Sequence, residues 1–488
     1  CTGQFEKARE VLLSFAEFQN QDQFSPYYGR IPNRVMLNDI IYNTTDGTPW
    51  FVIACDRYVK YTGDTDFISL MFPVIKTAME GALKNHVDEY GFLTHGDAET
   101  WMDAVGTEGP WSPRGNRAVE IQVLWLEQTR IAIEWAEFLG DDDWAEDWHL
   151  LERRLRRNFK RYFWDDQRQR LVDHLNTDNS ADRQIRPNAL FALSLPQDTL
   201  LMPHQEQAVL KEAMNHLVYP WGVSSLSQED TNFHPYHHYP PFYVPDAAYH
   251  NGLVWTWLSG PLLSALISHH PELGFTLLRE ESRQILENDA IGSYSELLEA
   301  WPREGLEKPL ISGTVSQAWN LAEFIRNWHQ DVLGIRPDLS ERRIDVSPGI
   351  PHSLKLVKFK ARVGADILQG SYSRTDRDWE ITLAGKQELP KLTVDFNLPV
   401  ADQLFAFSVL WEDQRSLNVQ LKSGGNKRKV FVNGKPMNDF SSNRNPLMDD
   451  LSFVKPKVDV NIPTLQGPSY DLIPPQQATQ RHNTLTAI

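Results

Sequence analysis

The amino-acid sequence predicts a mainly α-helical part over residues 1–333, arranged as a toroid, followed by a smaller β domain. Three observations carry this expectation. The chain has 488 residues, and single hydrophobic cores usually stop growing at about 250 to 300 residues, so two folded units are expected. Between Cys1 and Val332 apolar residues recur at helical spacing, and nothing there demands a large sheet. After Gly334 the texture changes to short strand-length runs separated by Gly or Pro.

The first helix is read from Phe5 to Phe18. Phe5, Ala8, Val11, Leu12, Phe15 and Phe18 recur at helical spacing there, with Glu6, Lys7, Arg9, Glu10 and Glu17 between them. The same pattern returns over 49–61, 67–87, 119–139, 144–162, 205–217, 252–269, 275–287 and 316–332. Between these helices lie polar loops rich in Gly, Pro, Asn, Asp and Trp, notably 21–47, 91–117, 176–188 and 219–251. Long loops inside a compact domain are usually functional. Many helices joined by such loops predict a toroid whose loops gather at one end around a cleft. From about Ile335 onward, runs such as 354–360, 379–383 and 429–432 read as strands, which places a β-sandwich over 334–465. Residues 466–488 contain Gly467, Pro468, Pro474 and Pro475 without apolar periodicity and are read as a disordered tail.

Composition narrows the functional classes. A hydrophobic fraction of 41% and a charged fraction of 23% are ordinary globular values, and no apolar stretch approaches the ~18 residues of a membrane span. A formal net charge of −17 repels polyanions, so nucleic acid is excluded as a partner and a neutral or cationic ligand fits better. Only Cys1 and Cys55 occur, and no signal peptide precedes the first helix, which reads as a reducing, cytoplasmic compartment. The chain opens on Cys-Thr-Gly rather than Met and runs straight into a helix, so it reads as a piece of a longer chain. The 16 Trp are about twice the average usage. Most should be core, but Trp101 and Trp111 stand among polar residues, where an indole face suits the apolar C–H face of a sugar ring.

No Walker loop, Rossmann glycine fingerprint, paired-Cys zinc spacing or His-Glu-x-x-His occurs, so neither a cofactor nor a metal is expected. His234, His237, His238 and His250 cluster in an aromatic, Pro-rich loop. No carboxylate or Cys partner recurs there at ligand spacing, so loop packing and substrate contacts are the expected roles. The informative positions are carboxylates in aromatic loops. Glycosidases need one carboxyl held protonated to donate to the leaving oxygen, and a second, ionised one to activate water or attack the anomeric carbon. Asp103 follows Trp101 and Met102, apolar neighbours that desolvate a carboxyl and raise its pKa, although a lone loop Asp is more often a helix N-cap. Glu296 follows a helix and precedes another polar loop. Its neighbours Ser293, Tyr294 and Ser295 are expected to donate to it and favour its charged form.

A series of motifs then appears in order: Ile31-Pro-Asn-Arg34, Tyr42-Asn-Thr-Thr-Asp-Gly-Thr-Pro-Trp-Phe51, Thr100-Trp-Met-Asp103, Pro113-Arg-Gly and Ala118-Val-Glu-Ile-Gln122. Ile185-Arg-Pro-Asn-Ala189, Tyr249-His-Asn-Gly-Leu-Val-Trp255, Ser295-Glu-Leu297 and Ser316-Gln-Ala-Trp319 follow. The series resembles the amylo-α-1,6-glucosidase domain of glycogen debranching enzymes over residues 1–333 and, more remotely, the glucoamylase group. The resemblance implies an (α/α)6 toroid, here without its first helix or helices, because the family's Arg-Asp segment before the opening helix is not in this sequence. It also implies inverting hydrolysis of α-1,6-linked glucose from glycogen or related α-glucans, without a cofactor. Asp103 would be the general acid and Glu296 the general base, with Glu299 and Glu304 as nearby rivals for the second role. Asp46, Glu120, Arg186, Asn188 and His250 would bind glucose hydroxyls, while Trp101, Trp255 and Trp319 shape the pocket. One motif departs mildly from the family, whose Trp-Pro-Trp is here Trp255-Thr256-Trp257. Two other readings share these features: another (α/α)6 hydrolase, such as a trehalase or an α-mannosidase-type glucosidase, and a non-catalytic glucan-binding protein.

Overall fold

A computed structural model describes residues 1–195, 200–287, 290–385, 391–412, 415–424, 427–445, 448 and 450–457. The expected tail, 466–488, and the end of the expected β domain lie outside these residues. The first part is helical: α1 (Phe5–Glu17), α2 (Gly47–Thr62), α3 (Asp66–Asn85), α4 (Val119–Leu139), α5 (Asp142–Phe163), α6 (Phe191–Ser194), α7 (Pro203–His216), α8 (Pro245–Tyr249), α9 (Ser259–His269), α10 (Pro271–Glu287) and α11 (Ala318–Arg326). α4 is buried around its whole circumference from Val119 to Ile133, with Glu120, Gln122, Glu127 and Arg130 among the buried side chains, and is enclosed by other elements. α2, α3 and α5 pack against it. α5 is amphipathic and turns Trp148, Leu151, Leu155 and Phe159 inward while its other face meets solvent. Among the described residues no helix is long and apolar enough to cross a membrane.

Two expected helices begin later than their periodicity suggests. The segment 252–258 is not α-helical: Val254–Trp255 is a strand paired with Leu297–Leu298, which in turn pairs with Ile311–Ser312, and only a short 3₁₀ turn over Thr256–Leu258 leads into α9. An apolar run containing two Trp satisfies a helical period and a buried strand equally well, and pairing with a segment some forty residues away decides between them. The last helix starts at Ala318, two residues after its expected start, and widens into a π-helical turn over Asn327–Val332. Asn327 Nδ2 there donates to Gly260 O at 3.0 Å and to Asp331 Oδ2 at 2.7 Å.

From Ile335 onward the chain is sheet-rich. The strands are β1 (Ile335–Asp338), β2 (Arg343–Val346), β3 (Leu356–Val363), β4 (Asp366–Arg374), β5 (Trp379–Ala384), β6 (Leu392–Val400), β7 (Gln403–Trp411), β8 (Ser416–Gly424), β9 (Lys427–Val432), β10 (Lys435–Met437) and β11 (Ser441–Arg444). One sheet has the order β1-β2-β6-β7-β11 and the other β3-β4-β5-β8-β9-β10. All pairings are antiparallel except β2 with β6. Alternation explains the geometry: Leu392, Val394, Phe396, Leu398 and Val400 of β6 all face one way and join Ile381, Leu383 and Val419 of the other sheet in one core. The chain then returns to the helical part. Met448 N donates to His269 O at 3.3 Å and Val454 N to Val218 O at 2.8 Å, and Met448, Leu451 and Val454 are buried.

Candidate functional site

The short three-stranded sheet 254–255, 297–298 and 311–312 assembles one wall of a cavity of about 550 Å³. Its strands carry Trp255 and, immediately before Leu297, Glu296. Thr314 N donates to Glu296 Oε2 at 2.8 Å, and Tyr249 Oη donates to Oε1. Gly313 makes this grip possible. Its φ is +72°, and a Cβ there would stand 2.4 Å from Glu296 Oε2, so a side chain is excluded both by conformation and by space. Burial, followed by the charge of Glu296, raises the Tyr249 phenol far above its ordinary value, so it remains a donor. The donors are therefore not those expected from the sequence. Ser293 and Ser295 hydroxyls donate to the carbonyls of Ala290 and Leu297, and Tyr294 lies among Glu281, Thr256 and Ser259.

Another part of the cavity lining is a loop. Thr100 Oγ1 accepts from Met102 N at 3.2 Å, which turns the chain so that Trp101 and Met102 are buried while Asp103 is presented to the cavity. Asp103 is open to solvent through the cavity mouth, yet the walls thin its hydration. Desolvation, followed by the negative charge of Glu296, raises its pKa to about 6, against a backbone hydrogen bond that lowers it. Asp46, at the N-cap position of α2, is the third lining carboxylate. Desolvation and then the charges of Glu120 and Asp103 hold it at about 6 despite a hydrogen bond from Thr44.

Aromatic rings supply the rest of the wall. Trp101 meets Trp255 and Trp257 edge-on, each at 5.4 Å between centroids, and Trp319 stacks on Trp257 at 4.7 Å. Trp319 is 39% exposed and forms a free indole face at the cavity. Of the residues singled out from the sequence, Asp46, Trp101, Asp103, Trp255, Glu296 and Trp319 line this one cavity. Tyr249, Gln317 and Trp50 also line it and were not singled out as site residues; Tyr249 adjoins His250 in a quoted motif, but nothing local shows that it reaches Glu296.

The expected hydroxyl-binding residues Glu120, Arg186, Asn188 and His250 do not line the cavity; they form a layer behind it. Buried polar groups are usually matched; Arg186 and Asn188 are matched by protein, whereas both ring nitrogens of His250 and Oε1 of Glu120 have no hydrogen-bond partner among the described residues. Asn188 Oδ1 accepts from Trp101 Nε1 at 2.8 Å, and its Nδ2 donates to Asp173 at 2.9 Å. Arg186 donates to His250 O at 2.7 Å, Ser225 O at 3.2 Å and Asn251 Oδ1 at 2.8 Å. Arg114 donates to Glu120 Oε2 at 2.7 Å and also pairs with Asp173. His250 stacks on Trp255 at 5.1 Å, and burial keeps it neutral, with its pKa well below the ordinary histidine value. Glu299, a rival to Glu296, is held by Arg303 Nε at 2.8 Å and by His237 N at 3.3 Å, and Glu304 is exposed. Neither lines the cavity.

Among the histidines of the 219–251 loop, His237 Nδ1 meets Ser312 Oγ at 2.6 Å and stacks on Tyr249 at 5.7 Å, contacts of loop packing. Among the described residues, the group with metal-ligand spacing is elsewhere: Asp173, His174 and Asp182 each bring one atom within 4.8 Å of the others. The Arg114 guanidinium lies against Asp173, a fixed positive charge where a cation would have to sit.

Residues 1–326 match a family model described as amylo-alpha-1,6-glucosidase. Among solved structures, the chain is similar to a GH78 family rhamnosidase of Bacillus sp. GL1, with 15% identity and a TM-score of 0.57 over 81% of this chain and 37% of that one. It is similar to an α-L-rhamnosidase from Dictyoglumus thermophilum, with 12% identity and a TM-score of 0.53 over 90% of this chain and 43% of that one. A GH63 mannosylglycerate hydrolase from Thermus thermophilus matches at 11% identity and a TM-score of 0.50, over 66% of this chain and 89% of that one. At such identities the likeness is one of fold, a helical region followed or accompanied by sheets. The chain spans under half the length of either rhamnosidase.

Proposed function

The chain belongs to the amylo-α-1,6-glucosidase family of glycoside hydrolases, and from that premise we propose that its cavity hydrolyses α-1,6-linked glucose from glycogen or related α-glucans with inversion. The observation that carries the reading is the pairing, within one cavity, of a carboxyl held at about pKa 6 with a carboxylate gripped by two donors. Asp103 gives its proton to the glycosidic oxygen as the bond from that oxygen to C1 breaks. A water on the other face of the sugar forms the new bond to C1 and passes a proton to Glu296. One displacement of this kind inverts C1. The free indole face of Trp319 stacks on the sugar, and Asp46 accepts from its hydroxyls. Glu120, Arg186, Asn188 and His250 act from behind by fixing Trp101, Trp255 and the loops that carry them.

The proposal includes the layout of the chain: an α/α toroid over 1–333 whose loops form the cavity, and a β-sandwich accessory domain over 334–465. The enclosed α4 and the shared core of the two sheets support it. A non-catalytic glucan-binding protein would have no use for an acid and a base in one cavity. Proton NMR of glucose freshly released from a branched α-glucan tests the reading. The β-anomer appears first under inversion, initial α-glucose overturns inversion, and release from α-1,1-linked glucose alone moves the specificity to a trehalase.

A further inference from the structure

The solvent face of α5 carries a charge pattern that catalysis does not use. α5 contributes no residue to the cavity. Its exposed positions include Asp143, Glu146, Asp147, Leu150, Arg153, Arg154 and Arg157, the two-one-two rhythm of a single helical face. The first half of that face is acidic and the second half basic. Leu150 stands between them, 54% exposed.

Two ordinary explanations do not account for the pattern. The helix dipole favours acids in the first turn and bases in the last, but Glu146 and Asp147 lie beyond the first turn, and Arg153 and Arg154 lie in the middle of the helix. Intrahelical pairing favours opposite charges three or four residues apart. Here the two signs are segregated, and the one pair that forms across the face, Arg153 Nη2 with Glu146 at 3.3 Å, spans seven residues on the surface. Asp143, Asp147, Arg154 and Arg157 make no ion pair among the described residues.

The pattern is antisymmetric about Leu150. Asp143 and Arg157 stand seven positions to either side, Glu146 and Arg154 four, and Asp147 and Arg153 three. When two copies of such a helix lie antiparallel across a two-fold axis at Leu150, every acid faces a base and the two leucines meet at the centre. A two-fold contact of this kind is self-complementary. The parallel arrangement would set like charges together, so the pattern also selects the orientation.

We propose that this face of α5 is a self-association surface, on which a second copy of the same chain docks antiparallel about Leu150. With a net charge of −17 the two copies repel one another overall, and this locally balanced face is where approach is least opposed. One helix pair buries less than a standard interface, so the dimer is of the weak class, forms at high protein concentration and is sensitive to salt.

Sedimentation velocity of the whole chain tests the proposal. In about 0.01 M salt the mass should rise with concentration toward twice 56.2 kDa, and in about 1 M salt, where the Debye length falls from ~30 to ~3 Å, it should return to the single-chain value. Glu146→Arg with Asp147→Arg makes the four positions flanking Leu150 all basic, and Arg153→Glu with Arg154→Glu makes them all acidic. Each double variant should remain a monomer, the two mixed together should form a heterodimer, and all four changes in one chain should restore the dimer. These positions are exposed, and an unchanged melting temperature confirms folding. A wild type that stays monomeric in low salt, a dimer that survives either double variant, or a mixture that does not associate overturns the proposal.

Discussion

Asp103 and Glu296 face one cavity from two different kinds of structure. Asp103 is on a loop between two buried apolar side chains and the cavity mouth, and among the described residues no side chain donates to it. Glu296 is at the start of a strand in a three-stranded sheet, 5% exposed, with a phenol donating to one oxygen and a backbone N–H to the other. Thinned hydration and then the charge of Glu296 raise the Asp103 pKa, whereas Glu296 is held in place by two donors. The contrast teaches that acid and base are distinguished by what surrounds two similar groups. It also shows what each element contributes: pairing of 297–298 with 311–312 brings Thr314 N to the carboxylate, and α8 brings the Tyr249 phenol.

The strongest way to break the contrast is to remove either carboxyl. Asp103→Asn and Glu296→Gln are nearly isosteric, and each should lower turnover on a branched α-glucan by at least about a hundredfold with the melting temperature nearly unchanged. Loosening the grip on Glu296 should cost less. Tyr249→Phe removes a hydrogen bond to a charged group, worth roughly 1.5–3 kcal/mol, and should slow turnover about ten- to a hundredfold. Gly313→Ala, which drives a methyl group into the carboxylate, should fall in the same range. Rates equal to wild type in both would show that Glu296 does not depend on these donors.

Acidity sharpens the same comparison. Because the Asp103 pKa is raised to about 6 and its acid role needs the proton, kcat/KM should fall as pH rises through about 6, roughly tenfold per unit at higher pH. A pH profile flat from 5 to 8 would remove Asp103 from the acid role. The layer behind the cavity should respond differently. Arg186→Met orphans the carbonyls of Ser225 and His250 and should lower stability by roughly 2–4 kcal/mol in chemical denaturation. Its KM should change little at temperatures where the variant is folded. A KM raised tenfold without loss of stability would return Arg186 to direct contact with the sugar.

How much of this was legible in the sequence follows from how local each feature is. Helices such as α4 and α5 declare themselves through their own periodicity, and the strand texture after Gly334 does the same. A polar, aromatic loop marked Trp101 and Asp103, and the family resemblance marked Glu296, Asp46, Trp255 and Trp319; all six line the cavity. The strand 254–255 was hidden because only its partner 297–298 distinguishes it from a helix. The donors to Glu296 were hidden for the same reason, since Tyr249 is 47 residues away and Thr314 18. Arg186 and Asn188 were visible as a motif, but whether a polar motif touches ligand or braces the residues that do is decided by packing in the third dimension.

The division of labour between the two carboxyls is tested most directly with a substrate whose leaving group needs no proton. On α-glucosyl fluoride, Asp103→Asn should act within about tenfold of wild type although it is nearly inactive on the glucan, while Glu296→Gln should be at least about a hundredfold slower on both substrates. Equal loss on both substrates for Asp103→Asn, or activity on the fluoride in Glu296→Gln, would contradict the assignment of acid to the loop and base to the sheet.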